Sequence, residues 1–433
     1  MGVVLFLLGT VFEIAFTAFC IITKSNQRQL RNIVRIAAFI GFLLFTALSV
    51  INWSFRYYTI AAFLLLLAVV GTVGLARKKK EKRAYKAVRV ILKAIGMTMV
   101  FFVITLPAII FPQHKTINPT GQYQVATASY TYKDTSRVET YTNTGENRRL
   151  TVEMWYPKNT DGTYPLIVFS HGSLGIKTSN ETLYNELASN GYIVCSIDHT
   201  YQCFFTTDAD GRTTLLNMGF FQELMTELTK DDRQFSYECY QKWMGIRMGD
   251  INFVIDQILS EAKRDHSDRV YKLVDTTEIG VMGHSLGGSA ALGIGRIRND
   301  VSAVIELEAP FMNDIKGVKD GRFVFLDEIY PVPLLNVYSD DSWSHLDEWP
   351  EYVENYTLLS GGNANIFNIH IRGVGHLSLT DLSLDSPILT NLVNGHKSTT
   401  DTEYCLKTLN RLCLEFFNCY LKGEDEFRPV DTY

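Results

Sequence analysis

Four long apolar runs occupy the first quarter of the chain, at residues 3–23, 33–51, 57–76 and 90–111. A helix of about 20 residues is roughly 30 Å long, which matches the hydrocarbon thickness of a bilayer. The first run has no basic leading segment and no small-residue cleavage site, which argues against a removed signal peptide. The sequence therefore predicts an all-α, four-span transmembrane region over residues 1–111.

The charges divide the chain at nearly the same place. Residues 1–115 carry 15 Lys and Arg against 2 Asp and Glu, whereas the rest of the chain carries 26 Lys and Arg against 44 Asp and Glu. An acidic remainder does not suit a nucleic-acid surface, so no nucleic-acid partner is expected. Basic residues concentrate in two loops between the apolar runs, at residues 24–35 and 77–89. The positive-inside rule puts those loops in the cytoplasm and residues 112–433 outside it, in a multi-pass protein of the cell membrane.

Strands and helices alternate over residues 112–433, which is typical of one doubly wound, mostly parallel α/β domain. Two β-rich stretches open it as an antiparallel pair, and continuous apolar strands suited to a parallel sheet follow. An insertion at residues 200–245 is expected to form a cap. The predicted strands are residues 122–132, 149–156, 164–170, 192–197, 278–282, 303–307, 334–338 and 366–371, and the predicted helices are residues 181–189, 249–259, 287–298 and 403–421.

Seven cysteines are too few for a disulfide framework in a chain of 433 residues. In an extracytoplasmic domain Cys203 and Cys239 of the insertion can form a disulfide, and free thiols are equally compatible with the sequence. No cysteine or histidine spacing resembles a zinc site, so neither a metal nor another cofactor is expected.

The sequence Gly-His-Ser-Leu-Gly at residues 283–287 contains the G-x-S-x-G pattern. It lies between a predicted strand and a helix rich in Ala and Gly, which is the context that exposes a serine nucleophile on a tight turn. A serine hydroxyl becomes nucleophilic when an imidazole accepts its proton and a carboxylate orients that imidazole. Ser285 is therefore the predicted nucleophile of an α/β-hydrolase fold that follows the four-helix transmembrane region.

In this fold the acid and the histidine follow the serine along the chain. His376 lies on a loop just beyond the last predicted strand and is the predicted general base, with His345 as a weaker alternative. A structural role is expected for His370, which lies inside that strand, and for His284, which belongs to the turn.

Two strand ends offer a carboxylate for the triad. Glu308 follows the strand after the nucleophile helix, and Asp340 and Asp341 follow the next strand. Because the acid has only to reach the outer imidazole nitrogen, the pattern alone does not separate the two ends.

The oxyanion of a tetrahedral intermediate needs two preorganised N–H donors. One is expected from the backbone of Leu286, directly after the serine. The other is expected from the glycine-rich loop at residues 171–175, with Ser173 as the predicted donor and Leu174 as the alternative.

Five segments carry a likeness to a known family: residues 164–172, 187–194, 283–288, 307–309 and 371–376. Their sequences and spacing resemble the α/β-hydrolases of the plasma and intracellular type II platelet-activating-factor acetylhydrolase family. The resemblance implies a calcium-independent serine esterase that removes short or oxidised acyl groups from phospholipids. It does not include the four apolar runs.

The resemblance also bears on two open assignments. In that family the triad acid stands in a Leu-Asp-Ala sequence, which corresponds to residues 307–309 and implies Glu308. Glu replaces Asp here, which leaves Asp340 as the alternative acid. The family's His-Gly-Leu-Gly loop is shorter than residues 171–175 by one residue, so both Ser173 and Leu174 stay open as the second oxyanion donor.

Together these features predict a membrane-anchored serine ester hydrolase acting on an ester or lipid substrate. The same triad also serves acyltransferases and peptidases, because the pocket rather than the nucleophile turn selects the acceptor. A catalytically silent membrane sensor or scaffold is a third hypothesis, which the presence of both Ser285 and His376 argues against. The sequence identifies no protein partner.

Overall fold

A computed structural model describes residues 1–77, 84–361, 363–424 and 426–433. The chain divides into two compact units. The first unit is Met1–Lys115 together with Leu384–Leu389, and the second is Thr116–Ser383 together with Thr390–Tyr433. Part of the basic loop predicted at residues 77–89, namely positions 78–83, lies outside the described residues.

Four apolar helices make up most of the first unit: α1 (Gly2–Ile22), α2 (Arg28–Ala47), α3 (Tyr58–Ala76) and α4 (Ala87–Ile110). In length and composition each of them is able to cross a membrane. Aliphatic side chains such as Leu8 and Val11 are exposed on their outer surfaces, as in helices that face lipid. Inside the unit, Arg31 Nη2 lies 3.3 Å from Glu13 Oε2.

The strands of the second unit are β1 (Val125–Val138), β2 (Asn147–Pro157), β3 (Tyr164–Ser170), β4 (Ile193–Asp198), β5 (Phe205–Thr207), β6 (Thr213–Leu215), β7 (Val274–His284), β8 (Ala303–Leu307), β9 (Ile315–Lys319), β10 (Arg322–Phe325), β11 (Leu334–Tyr338) and β12 (Ile366–His370). Among the described residues, eight of them form one sheet in the order β1-β2-β4-β3-β7-β8-β11-β12. The β1–β2 and β2–β4 pairings are antiparallel and the other five are parallel. The mostly parallel α/β sheet predicted from the sequence is confirmed.

The remaining helices are α5 (Glu181–Ser189), α6 (Met218–Thr229), α7 (Arg233–Ala262), α8 (Arg269–Lys272), α9 (Leu286–Ile297), α10 (Asp340–Trp343), α11 (Val353–Ser360), α12 (Leu382–Asp385), α13 (Pro387–Asn394) and α14 (Thr402–Lys422). Of these, α7 and α9 cover one face of the sheet, and α5 and α14 cover the other. On β3, Leu166 and Val168 belong to the apolar core that includes α7 and α9, whereas Ile167 and Phe169 belong to the core that includes α5 and α14. A strand buried on both faces has no polar alternation, which explains the continuous apolar sequence of β3.

The insertion predicted at residues 200–245 contains the β5–β6 hairpin, α6 and the first turns of α7. Asp232 caps α7 by accepting the Phe235 N–H at 3.1 Å, and the helix then continues without a break to Ala262. The helix predicted at residues 249–259 is thus the last part of a longer one. Gly245 and Gly249 lower the helix propensity in the middle of α7, so the sequence does not reveal that one helix runs through these positions.

Candidate active site

Ser285 occupies the turn between β7 and α9 with φ 53° and ψ −126°. That conformation is strained for a non-glycine residue and is typical of a nucleophile turn. Two glycines make room for it. A Cβ on Gly283 would collide with the Gly287 carbonyl, and a Cβ on Gly287 would collide with the Ser170 carbonyl at the end of β3.

His376 begins a short 3-10 turn a few residues beyond β12. Its backbone is fixed from two sides. The His376 N–H donates to Asp341 Oδ2 at 2.7 Å, and the His376 carbonyl lies 3.1 Å from His284 Nε2. His284, which the sequence assigns to support of the turn, therefore ties the nucleophile turn to the histidine loop, with ring centroids 4.6 Å apart.

Glu308 follows β8 in a left-handed conformation, with φ 56°. Its Oε1 lies 3.4 Å from His376 Nδ1, and its Oε2 accepts the Ser339 N–H at 2.8 Å. Burial alone would raise the pKa of Glu308, but the hydrogen bonds and charge of His376 and the Ser339 N–H hold it below the ordinary glutamate value. Burial lowers the pKa of His376 because it disfavours the protonated ring. The hydrogen bond and negative charge of Glu308 outweigh this effect, so the pKa of His376 is raised.

The two aspartates considered as alternative acids contact other histidines. Asp340 Oδ1 lies 2.7 Å from His370 Nε2, and Asp340 Oδ2 accepts the Gly373 N–H at 2.9 Å. Asp341 Oδ1 lies 2.6 Å from His396 Nε2. The geometry therefore brings Glu308, and not Asp340, to the His376 ring. His345, the alternative base, pairs with Glu348 at 2.8 Å.

The two candidate oxyanion donors face the same space as Ser285. Leu286 is the first residue of α9, where a backbone N–H has no acceptor within the helix. Gly172 packs against Ser285, since a Cβ added at Gly172 would lie 3.3 Å from Ser285 Cβ. The Leu174 N–H already donates to the Gln202 carbonyl at 3.2 Å, which leaves the Ser173 N–H as the candidate of this loop.

A cavity of about 1050 Å³ joins these groups. It is lined by Ser285, Glu308 and His376, together with Ser173 and Leu286. Sequence reasoning missed most of the wall around them, because its residues come from distant segments. The missed residues include Leu224, Leu228, Tyr240, Trp243, Met312, Trp349, Tyr352 and His396, whereas Asp340 and Asp341 on the same wall are candidate acids from the sequence.

Among the described residues, one group has metal-ligand spacing: His171, Asp198 and Cys203, all buried. The Asp198 carboxylate already accepts the Lys177 N–H at 2.6 Å and the Thr206 hydroxyl at 2.7 Å, and Lys177 Nζ lies 3.1 Å away. This bonding accounts for both carboxylate oxygens without an ion. All seven cysteines are described and none of them is in a disulfide, so a Cys203–Cys239 disulfide is not formed.

Comparisons with known proteins identify the fold and the family of this chain. A solved structure titled ferulic acid esterase from Streptomyces cinnamoneus superposes with a TM-score of 0.55 at 21% identity, covering 72% of this chain and 95% of that one. At that identity the match shows the fold alone. Cutinase est1 of Thermobifida alba is 26% identical over 160 residues, covering 37% of this chain and 40% of the relative.

The matches to two animal relatives cover more of this chain. Platelet-activating factor acetylhydrolase of Gallus gallus is 22% identical over 285 residues, covering 62% of this chain and 65% of the relative. The Cavia porcellus protein of that name is 28% identical over 289 residues, which are 63% of this chain and 61% of that protein. This chain thus spans less than two thirds of the length of these relatives. The model of the family described as platelet-activating factor acetylhydrolase, isoform II, matches residues 119–432, and the chain therefore belongs to that family.

Proposed function

We propose that this protein is a membrane-anchored serine ester hydrolase with Ser285, His376 and Glu308 as its catalytic triad. The observation that carries the proposal is the Glu308–His376 pair at 3.4 Å, which lines one cavity with Ser285 on its strained turn. Membership of an acetylhydrolase family supports the same chemistry.

In the proposed reaction His376 accepts the Ser285 hydroxyl proton while Ser285 Oγ bonds to the carbonyl carbon of the ester. The carbonyl oxygen becomes an anion and accepts hydrogen bonds from the backbone N–H groups of Leu286 and Ser173. Collapse of this intermediate breaks the bond to the alcohol, which leaves with the proton from His376. Water then attacks the acyl-serine by the same route and releases the acid. Glu308 orients His376 and stabilises its cationic form throughout.

The cavity bears on the class of ester. Its volume is at the upper end of the range for small-molecule sites, about 300–1000 Å³. Leu224, Leu228 and Trp243 form an apolar part of the cavity wall. Lys230, Arg233 and several carboxylates also line the cavity. We propose carboxylic esters with a short acyl chain and a large, partly polar alcohol, a class that includes phospholipids.

Four helices of sufficient length and apolarity support the proposed anchoring. In this proposal residues 1–111 are the transmembrane region, residues 112–433 are the hydrolase domain, and residues 200–245 form its cap. The basic loops lie in the cytoplasm, because the charge bias of short loops sets orientation. The hydrolase domain then lies outside it.

The test is ester hydrolysis by membranes that carry the full-length protein. Wild type and Ser285→Ala are compared on p-nitrophenyl esters of two to twelve acyl carbons, without added metal. Ser344→Ala is the matched control, since Ser344 lines the same cavity and its hydroxyl donates to the Asp340 carbonyl instead. We expect loss of at least ~10⁴-fold in kcat for Ser285→Ala alone. Equal rates for Ser285→Ala and wild type contradict the proposal.

A further inference from the structure

Arg247 is a fully buried arginine near the middle of α7, directly behind the loop at residues 171–175. Its guanidinium donates to the His171 carbonyl, to the Gly172 carbonyl at 3.4 Å and to Gln202 Oε1 at 2.8 Å. Every one of these acceptors is neutral. Among the residues that the structure describes, Arg247 takes part in no ion pair.

The acid one turn along the same helix does not neutralise Arg247 by contact. Asp250 is shared between Arg148 Nη2 at 2.6 Å and Arg137 Nη1 at 2.9 Å. Burial lowers the pKa of Arg247 to about 10, so the side chain stays charged at neutral pH. A buried charge held only by neutral groups is costly. Such a residue is an unusual choice for packing alone.

Arg247 is one of three donors that orient the peptide group between Gly172 and Ser173. The Gly172 carbonyl accepts from Arg247, from His171 Nδ1 at 2.6 Å and from the Gly175 N–H at 3.1 Å. In a trans peptide the C=O and the following N–H point in opposite directions. Since Gly172 C=O is held toward Arg247, the Ser173 N–H is directed away from it. Ser173 lines the cavity that contains Ser285.

Arg247 also acts on the far end of the loop through Gln202. The Gln202 side chain accepts from Arg247, and the Gln202 carbonyl accepts the Leu174 N–H at 3.2 Å. Leu174 has φ 61°, a left-handed conformation that needs support from its surroundings. One side chain therefore restrains the peptides on both sides of Ser173.

We propose that Arg247 is a positioning residue for the oxyanion hole: by holding the His171 and Gly172 carbonyls and the Gln202 side chain, it keeps the Ser173 N–H directed at the reacting carbonyl oxygen. The inference rests on the proposed ester hydrolysis and assigns Arg247 no contact with substrate. It acts by preorganisation, which is how an oxyanion hole lowers the barrier.

The test compares an ester with its thionoester in the full-length protein, using wild type, Arg247→Gln and Arg247→Lys. A thiocarbonyl sulfur is larger and a weaker acceptor than oxygen, so its hydrolysis depends less on the oxyanion hole. Arg296→Gln is the matched control. Arg296 is also buried, with 6% of its side chain exposed, but it pairs with Asp314 at 2.7 Å and contacts no residue of this loop.

We expect Arg247→Gln to lower kcat for the ester by about 100-fold with KM within about twofold, and to lower the ester-to-thionoester rate ratio at least tenfold. Arg247→Lys retains a charge but not the forked donor geometry, so we expect the same fall in the ratio. Arg296→Gln should lower the ester and thionoester rates by the same factor, because it changes only the amount of folded protein. These ratios remain readable when a variant folds less well, because only active enzyme contributes to both rates.

An unchanged ratio in Arg247→Gln or Arg247→Lys, whatever happens to the absolute rates, overturns the inference. Failure of the underlying function gives a different result, namely wild-type rates no higher than those of Ser285→Ala on either substrate. The two failures are therefore distinguishable within one set of assays.

Discussion

The buried Glu308 carboxylate contacts the partly exposed His376 ring, with 3.4 Å between Oε1 and Nδ1, although 68 positions separate the two residues in the chain. Three consecutive parallel strands bring them together: Glu308 follows β8, β11 lies beside β8, and β12 on the far side of β11 leads to the His376 loop. The second carboxylate oxygen accepts the Ser339 N–H at the end of β11. The pair is thus held by the sheet rather than by either loop alone.

The first prediction concerns this acid. Glu308→Gln should lower kcat by about 10³- to 10⁴-fold, because an amide cannot stabilise the imidazolium that forms on His376. Glu306→Gln is the matched control. Glu306 is equally buried, burial raises its pKa well above the ordinary glutamate value, and its Oε2 accepts the Ala309 N–H at 2.6 Å. An amide can replace it there.

Steady-state kinetics on one p-nitrophenyl ester measure both variants, with Asp340→Asn as a third. We expect Glu306→Gln and Asp340→Asn to retain kcat within about tenfold of wild type, since Asp340 bonds to His370 and Gly373. A larger loss in Asp340→Asn than in Glu308→Gln would transfer the role of triad acid to Asp340.

The second prediction is a pH profile. His376 must be neutral to accept the serine proton, so kcat/KM should fall as the pH falls through its pKa. Burial lowers that pKa and Glu308 raises it by more, so the midpoint should lie above the ordinary histidine value of 6.5. In Glu308→Gln the raising contribution is lost while burial remains, and the midpoint should move to lower pH. A midpoint that stays fixed in Glu308→Gln contradicts the assigned pair.

The third prediction concerns the space under the nucleophile turn. Gly287→Ala should abolish activity and lower the melting temperature, because its Cβ would meet the Ser170 carbonyl in a close-packed interior. Gly317→Ala on β9 is the control, since apart from its two chain neighbours no described residue has an atom within 4 Å of a Cβ added there. Thermal unfolding followed by tryptophan fluorescence gives the melting temperatures of the two variants, and ester hydrolysis gives their activities. A Gly287→Ala variant as stable and active as Gly317→Ala would show that the turn is looser than described.

The general arrangement could be predicted from the sequence because local signals carry it. Continuous apolar strands indicate a parallel sheet, and the pattern at residues 283–287 indicates the nucleophile turn. The choice of acid needs more than a pattern. It depends on which strand end lies beside His376, and Glu308, Asp340 and Asp341 all stand at suitable ends.

Other parts of the site have no local signal. The Leu174 N–H is used by the Gln202 carbonyl, a bridge across the loop that no spacing reveals. Arg247 lies within a long helix whose sequence gives no sign of what its guanidinium contacts. The β9–β10 hairpin also escapes prediction, because Gly317 and the polar residues around it mask its strands.

The fourth prediction concerns the orientation of the four apolar helices. Alkaline phosphatase, which is active only outside the cytoplasm, should be active when fused after residue 115 and inactive when fused after residue 35, a point that retains the basic residues of the first loop. Green fluorescent protein fused at the same positions should give the opposite pattern. The expected result follows from the basic residues near the ends of α1, α2 and α3. Active phosphatase at residue 35 with inactive phosphatase at residue 115 would reverse the proposed topology.

The most direct measurement is the site of covalent labelling by a fluorophosphonate. This reagent phosphonylates a serine that an adjacent base has activated, and peptide mass spectrometry identifies the modified residue. In membranes carrying the full-length protein, we expect one adduct on Ser285, forming much more slowly in His376→Ala. Folded protein that takes up no reagent, or takes it up on a serine other than Ser285, would contradict the account.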